Sequence, residues 1–437
     1  MSTFFKWRTS TLALSLCTVF SLNIHASEAV VEPEQVYPFM SPELTPAQAL
    51  TGKHTVGVRT MDITNPNQLN PLTGKTADRT LTLELWYPAQ DAPTQALAHY
   101  DNVTRLHHPF SVQGTAYRDA PVLDSKEKMP LVVVSHGYTG YRTLMFYLGE
   151  HLASHGYIVA AIDHTDSVNA DVDMINAPFT GFPSTLFNRS RDQQFTLNQL
   201  TSGKHFLSAH IDQERAGLIG YSMGGYGAVN TVGGCYDFKA PSISALTGVT
   251  DAQQIEVIAR AFNSCAGGQY ENPKVDPRWR AAIAIAPWGN QHSLFNRDAM
   301  SKITTPLLYM AGEFDDVSHY PSIQQLFADT QGEHTYMLTY RNARHTIASH
   351  PIPSVAREQE KDFGHYMEFT WNTQWLNAIN KHFALSMMDC HIKGENKACE
   401  FLDLEGDSHQ WGDLGEKIEP WVGFPSRYSN GMSWDHK

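Results

Sequence analysis

The 437-residue chain is short of cysteine, short of positive charge and without a long hydrophobic run, and each shortage excludes something. Five cysteines are too few to build a scaffold of this size on disulfides. Lysine and arginine number 32 against 45 aspartates and glutamates, a formal net charge of -13, which argues against nucleic acid or an anionic membrane as a partner. The N-terminal apolar segment, residues 11–22, is too short to span a bilayer, so no stable membrane insertion is expected. The 21 histidines include no H-E-x-x-H or comparable ligand spacing, so neither a metal nor a cofactor is expected.

What the N-terminus does contain is Lys6 and Arg8, then that apolar segment, then small residues around Ala26 and Ala29. This is the order of a cleaved secretory signal over residues 1–26, and it predicts a secreted or periplasmic protein. Cys17 follows Leu16 rather than a small residue, which argues against a lipoprotein anchor. Loss of residues 1–26 removes two positive charges and no negative ones, moving the net charge from -13 to -15. Cys235, Cys265, Cys390 and Cys399 then remain. An even count in an exported chain favours two disulfides, and sequence proximity favours Cys235–Cys265 and Cys390–Cys399.

Residues 27–55 carry no period and read as an extended lead-in over the surface. Strands are expected at 56–63 and 80–87, with a turn-rich connector at 65–75. The apolar run 130–135 suits a strand covered on both faces, and 157–163 suits another. Between them Leu144, Met145, Leu148 and Leu152 share a helical face, with Gly156 placed to cap it. Residues 164–189 read as a long pocket-shaping loop, and Ser190 with Gln193 as a capping box opening a helix through Leu200. Strands follow at 215–220, 281–286, 306–310 and 335–340, and a helix at 366–383. This alternation predicts an α/β fold over residues 56–385, a mostly parallel sheet with helices on both faces. Residues 235–277 interrupt it as an insertion with one helix, capped by Thr250 and Gln253 and striped by Ile255, Ile258, Ala259 and Phe262. That stripe fits either a lid over a cleft or plain packing on the core. Residues 386–437 read as a stapled C-terminal extension.

The chemistry centres on Gly220-Tyr221-Ser222-Met223-Gly224, a G-x-S-x-G between an apolar run and a helix-compatible segment. A serine hydroxyl is a weak nucleophile at neutral pH, so it needs a sharp turn that exposes it, a histidine within reach and a backbone N–H for the oxyanion. Asp315 is the expected acid, with Glu313 and Asp316 in the same loop as rivals. His345 is the expected base, with His350 as its rival. The order Ser…Asp…His is one that places a nucleophile, an acid and a base after successive strands of one sheet. His136-Gly137-Tyr138-Thr139-Gly140 follows a buried strand, so the Tyr138 N–H is an expected oxyanion donor and His136 a structural loop residue.

Several of these stretches resemble known families. Ser135-His136-Gly137, Tyr141-Arg142-Thr143-Leu144 and Leu152-Ala153-Ser154-His155-Gly156 resemble the secreted platelet-activating factor acetylhydrolases and bacterial dienelactone-hydrolase-like proteins. Gly137-Tyr138-Thr139, Ser222-Met223-Gly224-Gly225, Ala286-Pro287-Trp288 and Gly312-x-x-Asp315 are similar to bacterial cutinases and aromatic-polyester hydrolases. The resemblance covers residues 56–350. It implies an α/β-hydrolase fold, oxyanion donors at Tyr138 and Met223, and substrate contacts from Trp288 and Tyr138. The expected activity is that of an exported serine carboxylic-ester hydrolase, working through an acyl-enzyme on short to medium acyl or aromatic esters, small or lipid-like. A platelet-activating factor acetylhydrolase-like phospholipase and a cutinase or polyester hydrolase are the alternatives, and a non-catalytic hydrolase-fold binding protein a remote one. Dienelactone hydrolases carry a cysteine where this chain has Ser222, and compact cutinases lack the 235–277 insertion and the C-terminal extension. With Cys235 bonded to Cys265, that insertion is expected to form a rigid wall beside Trp288 that favours short or medium acyl groups.

Overall fold

Every residue of Met129–Ser135 is buried, because this run of Leu131 and three valines lies in the middle of a sheet with helices on both sides. The computed structural model describes residues 31–38, 40–91, 94–269, 274–408, 420–425 and 429–437. The expected signal segment 1–26, with Cys17 in it, lies outside the described residues.

The strands in chain order are β1 (Thr55–Leu69), β2 (Thr76–Ala89), β3 (Leu97–Val103), β4 (Pro109–Arg118), β5 (Met129–Ser135), β6 (Ile158–Asp163), β7 (Ile211–Tyr221), β8 (Trp279–Ile285), β9 (Leu307–Gly312), β10 (Thr335–Tyr340), β11 (Gly406–Asp407) and β12 (Met432–His436). The helices are α1 (Phe146–Ser154), α2 (Phe182–Ser202), α3 (Met223–Thr231), α4 (Ala240–Thr247), α5 (Ala252–Phe262), α6 (Arg297–Met300), α7 (Tyr320–Asp329), α8 (Glu360–Tyr366), α9 (Thr373–Met388) and α10 (Asn396–Cys399). One sheet takes the order β11-β12-β10-β9-β8-β7-β5-β6-β2-β1-β4-β3. Its centre, from β6 through β5, β7, β8 and β9 to β10, is parallel throughout.

Side chains alternate across a strand, so each central strand feeds two cores. Val132 and Val134 of β5 pack with α1 and α9 residues such as Leu148, Leu152, Ile379 and Phe383. Leu131 and Val133 face the other way, toward Leu186 and Leu197 of α2 and Val229 of α3. No helix among the described residues is long and apolar enough to cross a membrane.

The structure departs from the sequence reading in six places, the first being the helix expected at 366–383, which is α9 (Thr373–Met388) preceded by the separate α8 (Glu360–Tyr366). The expected 65–75 connector is strand over its first half, because β1 continues to Leu69 and pairs with β2 down to Leu69–Thr76, leaving only residues 70–75 as the turn. β3 and β4 were not expected at all; β4 runs parallel to β1 and antiparallel to β3. α2 starts at Phe182 with a proline in its first turn, where the missing N–H costs nothing, so Ser190 is a buried mid-helix residue and not a cap. The cap of α5 is Asp251, whose carboxylate accepts from the Gln254 N–H at 2.9 Å, not Thr250. Finally, the C-terminal extension is no appendage. β12 pairs antiparallel with β10 along Tyr336–Tyr340, and Trp434 stacks on Phe383 of α9 at 5.0 Å.

The 235–277 insertion also takes the plainer of its two expected roles. Its α5 stripe sits on α2, with Phe262 5.9 Å from Phe187, and Tyr236 stacks on Tyr226 of α3 at 4.3 Å. Disulfides join Cys235 to Cys265 and Cys390 to Cys399. Since 30 positions separate Cys235 from Cys265, the chain-entropy model assigns that bridge about 3–4 kcal/mol. A Cys235→Ser/Cys265→Ser variant should therefore lose stability on that scale in urea unfolding while keeping its acyl-length profile. A changed profile would restore the insertion as a wall of the acyl site.

Candidate active site

Ser222 is the tip of the turn between β7 and α3, and its backbone is at φ 54°, ψ -112°, a region that costs a non-glycine residue about 1–3 kcal/mol. The surroundings hold it there. The Ser222 N–H donates to Ile285 O at 2.8 Å, and Ser222 O accepts from Tyr226 N–H at 2.9 Å and Trp288 N–H at 3.2 Å. The flanking glycines are required by close approach: a Cβ on Gly220 would lie 2.1 Å from Gly224 O, and one on Gly224 would lie 2.0 Å from Ser135 O.

His345, five residues past β10, reaches back to this turn. Its Nε2 lies 3.0 Å from Ser222 Oγ and its Nδ1 2.9 Å from Asp315 Oδ2. Asp315 sits in the loop after β9, and its Oδ1 accepts from the N–H groups of Ser318 at 2.7 Å and Val317 at 2.9 Å. Burial pushes the Asp315 carboxyl up, but the His345 charge and hydrogen bond together with those two N–H groups outweigh it and hold the group below its ordinary value. Of the rivals, Glu313 accepts from Arg341 at 3.0 Å and Asn342 N–H at 2.9 Å, and Asp316 is paired with Arg344 at the surface. His350 is fully buried between Tyr141 OH at 2.6 Å and Pro351 O at 2.7 Å, and burial pushes it down to about 4.

Tyr138 and Met223 frame the same turn. Met223 opens α3, so its N–H has no partner within the helix. A Cβ built on Gly137 would lie 3.6 Å from Ser222 Oγ, which shows how closely the loop carrying Tyr138 passes the hydroxyl. His136 is structural: its Nδ1–H donates to Gly137 O at 2.6 Å and its Nε2 accepts from His164 N–H at 3.2 Å. Behind it lies a buried relay missed in the sequence. Ser135 Oγ meets His164 Nε2 at 2.8 Å, His164 Nδ1 meets Asp192 Oδ2 at 2.9 Å, and Arg79 holds Asp192 through two contacts of 2.8 Å.

Ser222 and His345 open into a cavity of about 390 Å³. Its walls come from Tyr138, from Met174, Pro178 and Phe179 of the segment between β6 and α2, and from Met367 and Phe369. Among the described residues none of 235–277 lines it, and neither does Trp288. Trp288 is buried, edge-on to Phe182 at 5.3 Å and beside His292 at 4.9 Å. A lining residue without a sequence signal is Arg105, in the turn between β3 and β4.

Comparison with known proteins agrees with this architecture. A ferulic acid esterase from Streptomyces cinnamoneus superposes with a TM-score of 0.53 at 20% identity, over 80% of this chain and 94% of that one. The fold is that of the α/β-hydrolases. Two family models match the chain in succession: platelet-activating factor acetylhydrolase, isoform II, over residues 43–178, and the prolyl oligopeptidase family over 191–374. A platelet-activating factor acetylhydrolase of Cavia porcellus is 28% identical over 47% of this chain and 44% of its own length. A bis(hydroxyethyl) terephthalate hydrolase of Streptomyces coelicolor is 23% identical over 55% and 60%, and the cutinase est1 of Thermobifida alba 32% identical over 25% and 32%. The chain thus spans less than two thirds of these relatives' length.

The buried histidines make a prediction about stability. Burial pushes His164 down to about 3, His350 to about 4 and His382 to about 3. In the unfolded chain each takes up a proton below about pH 6.5, whereas the folded chain does not until pH 3–4, so the unfolded state gains as pH falls through that window. Each group should remove about 1.4 kcal/mol per pH unit below 6.5. Urea midpoints should fall steeply from pH 7 to pH 5; a flat profile would mean that these imidazoles are not held neutral inside the fold.

Proposed function

We propose that this protein is an exported serine carboxylic-ester hydrolase. The observation that carries the reading is His345, bridging Ser222 Oγ at 3.0 Å and Asp315 Oδ2 at 2.9 Å beside a cavity open to both. In this reading Ser222 Oγ attacks the ester carbonyl while its proton passes to His345 Nε2. The N–H groups of Tyr138 and Met223 receive the oxyanion. The carbon–oxygen bond to the alcohol breaks, His345 returns the proton to the leaving alkoxide, and the acyl group stays on Ser222. Water, giving a proton to His345, then attacks the acyl carbon; the bond to Ser222 Oγ breaks, His345 returns that proton to Oγ, and the acid is released. Asp315, held ionised, keeps the imidazole in the tautomer that accepts from Ser222 and stabilises its charged form.

The cavity is at the small end for ligand sites, and Phe179, Val317 and Phe369 give its rim an exposed apolar character. The limited volume favours short to medium acyl or aromatic esters over long chains. A phospholipase of the platelet-activating factor acetylhydrolase kind is the second reading, favoured by the family match over residues 43–178. Two disulfides fit an oxidising compartment and support export.

Ser222→Ala should lower turnover on 4-nitrophenyl esters by about a millionfold, the scale seen for loss of a triad nucleophile. An organophosphonate should label Ser222 alone; labelling at another serine removes the assignment. Asp315→Asn should lose far more activity than Asp316→Asn, because only Asp315 faces the imidazole. The opposite ranking would transfer the acid role.

A further inference from the structure

Arg105 is an arginine on the wall of the Ser222 cavity that makes no ion pair within 4.0 Å among the described residues. Its Nε donates to Thr139 Oγ1 at 3.1 Å, and its Nη2 lies 3.4 Å from the carbonyl oxygens of Tyr138 and of Thr139. These contacts anchor it to the loop that passes Ser222 and occupy one edge of the guanidinium. Nη1 makes none of these contacts, so the end of the fork remains for another acceptor. The other charged side chains at the cavity have partners of their own. Arg344 is paired with Asp316, and Glu368 accepts from Arg344 N–H at 2.8 Å and Thr370 N–H at 3.1 Å. Asp362, whose field reaches Arg105, places its oxygens on Thr104, Leu106 and His108. Burial works against the Arg105 charge. A second group on the same wall lacks a partner: His365 is 4% exposed, and its buried Nε2 has no hydrogen-bond partner among the described residues.

A half-buried guanidinium without a carboxylate gains from an anionic group that arrives to pair with it, and its planar fork matches the two oxygens of a carboxylate or phosphate. We propose that Arg105, with His365 beside it, is an oxyanion-binding subsite of the Ser222 cavity, and that the substrates are esters carrying a second, anionic oxygen group near the scissile bond. The inference rests on the serine-hydrolase reading for its chemistry, while the subsite itself is a matter of binding. The acidic surface does not prevent it, because charges beyond about 10 Å are screened at 0.1 M salt. An alternative role for Arg105, clamping the Tyr138 loop alone, makes a different prediction: loss of the side chain would then harm neutral and anionic esters alike.

The test uses the full chain and three substrates. These are 4-nitrophenyl pentanoate, which is neutral; mono-4-nitrophenyl glutarate, which carries a carboxylate; and monomeric dibutyroyl phosphatidylcholine, which carries a phosphate. For wild type, Arg105→Gln and Arg105→Lys, the quantity read is kcat/KM of each anionic ester relative to the neutral one. Loss of a charge-assisted contact should lower that ratio about 10–100-fold in Arg105→Gln, with partial recovery in Arg105→Lys. Which anionic arm falls identifies carboxylate or phosphate as the partner. An equal loss on all three substrates overturns the proposal in favour of the clamp. Binding is measured separately by calorimetry of monomethyl glutarate and of glycerophosphocholine on Ser222→Ala, with and without Arg105→Gln. Arg105-dependent binding with no hydrolysis of any ester would keep the subsite and remove the esterase reading. If neither ligand binds, the subsite is removed whatever the hydrolysis shows.

Discussion

The backbone at Ser222 is the constraint on which the rest of the structure depends. A residue with a side chain does not stay at φ 54°, ψ -112° unless its neighbours leave no alternative. Here β7 is buried on both faces at its carboxyl end, β8 supplies a carbonyl to the Ser222 N–H, and the chain after β8 returns an N–H to Ser222 O. The strain is thereby offset by burial of two strands and a helix, whose combined apolar area is worth many times its cost at roughly 25 cal/mol per Å². A local sequence motif alone does not achieve this; the parallel sheet on either side does.

The sheet also decides which residues can meet the serine. β7, β8, β9 and β10 are neighbours in one parallel array, so their carboxyl ends lie along a single edge with strands about 4.8 Å apart. Ser222 follows β7, Asp315 follows β9 and His345 follows β10. A chain separation of 123 residues between serine and histidine thus becomes a contact of 3.0 Å. The two carboxylates flanking Asp315 in its loop, Glu313 and Asp316, turn to surface arginines, so one position in the turn separates a group at the imidazole from a solvated ion pair.

Much of this was legible because strong local signals coincided. Continuous apolar runs marked the central strands, and glycine pairs marked the elbow. Legibility failed where an element owes its existence to a distant partner. β4 follows no strict alternation because it packs between β1 and β3 while also bridging to the lead-in at Glu34. With β3 and β4 unseen, the turn between them was unseen too, and with it Arg105. β12 is five residues long and is a strand only because β10 offers it an edge. Trp288 failed for a related reason: its motif fixes its place in the chain, but Phe182 at the start of α2 covers it, and that start is set by packing and not by the capping pattern at Ser190.

The buried relay behind the loop that carries Tyr138 shows why residue types and distances do not by themselves define chemistry. Ser135, His164 and Asp192 repeat the contacts of Ser222, His345 and Asp315 almost to the tenth of an ångström, at 2.8 and 2.9 Å against 3.0 and 2.9 Å. The difference lies in what surrounds them. Ser135 has no exposed surface and ordinary strand geometry, so no carbonyl carbon can approach its hydroxyl. Asp192 is engaged on both oxygens by Arg79, and burial holds His164 neutral. A relay closed in this way can only position. Its location, at the end of β5 directly before His136 and Gly137, makes it the footing for the loop that carries Tyr138. The same three residue types therefore perform different work in one molecule: where a strained turn exposes the serine they face a cavity, and where a straight strand buries it they fix the loop beside that cavity.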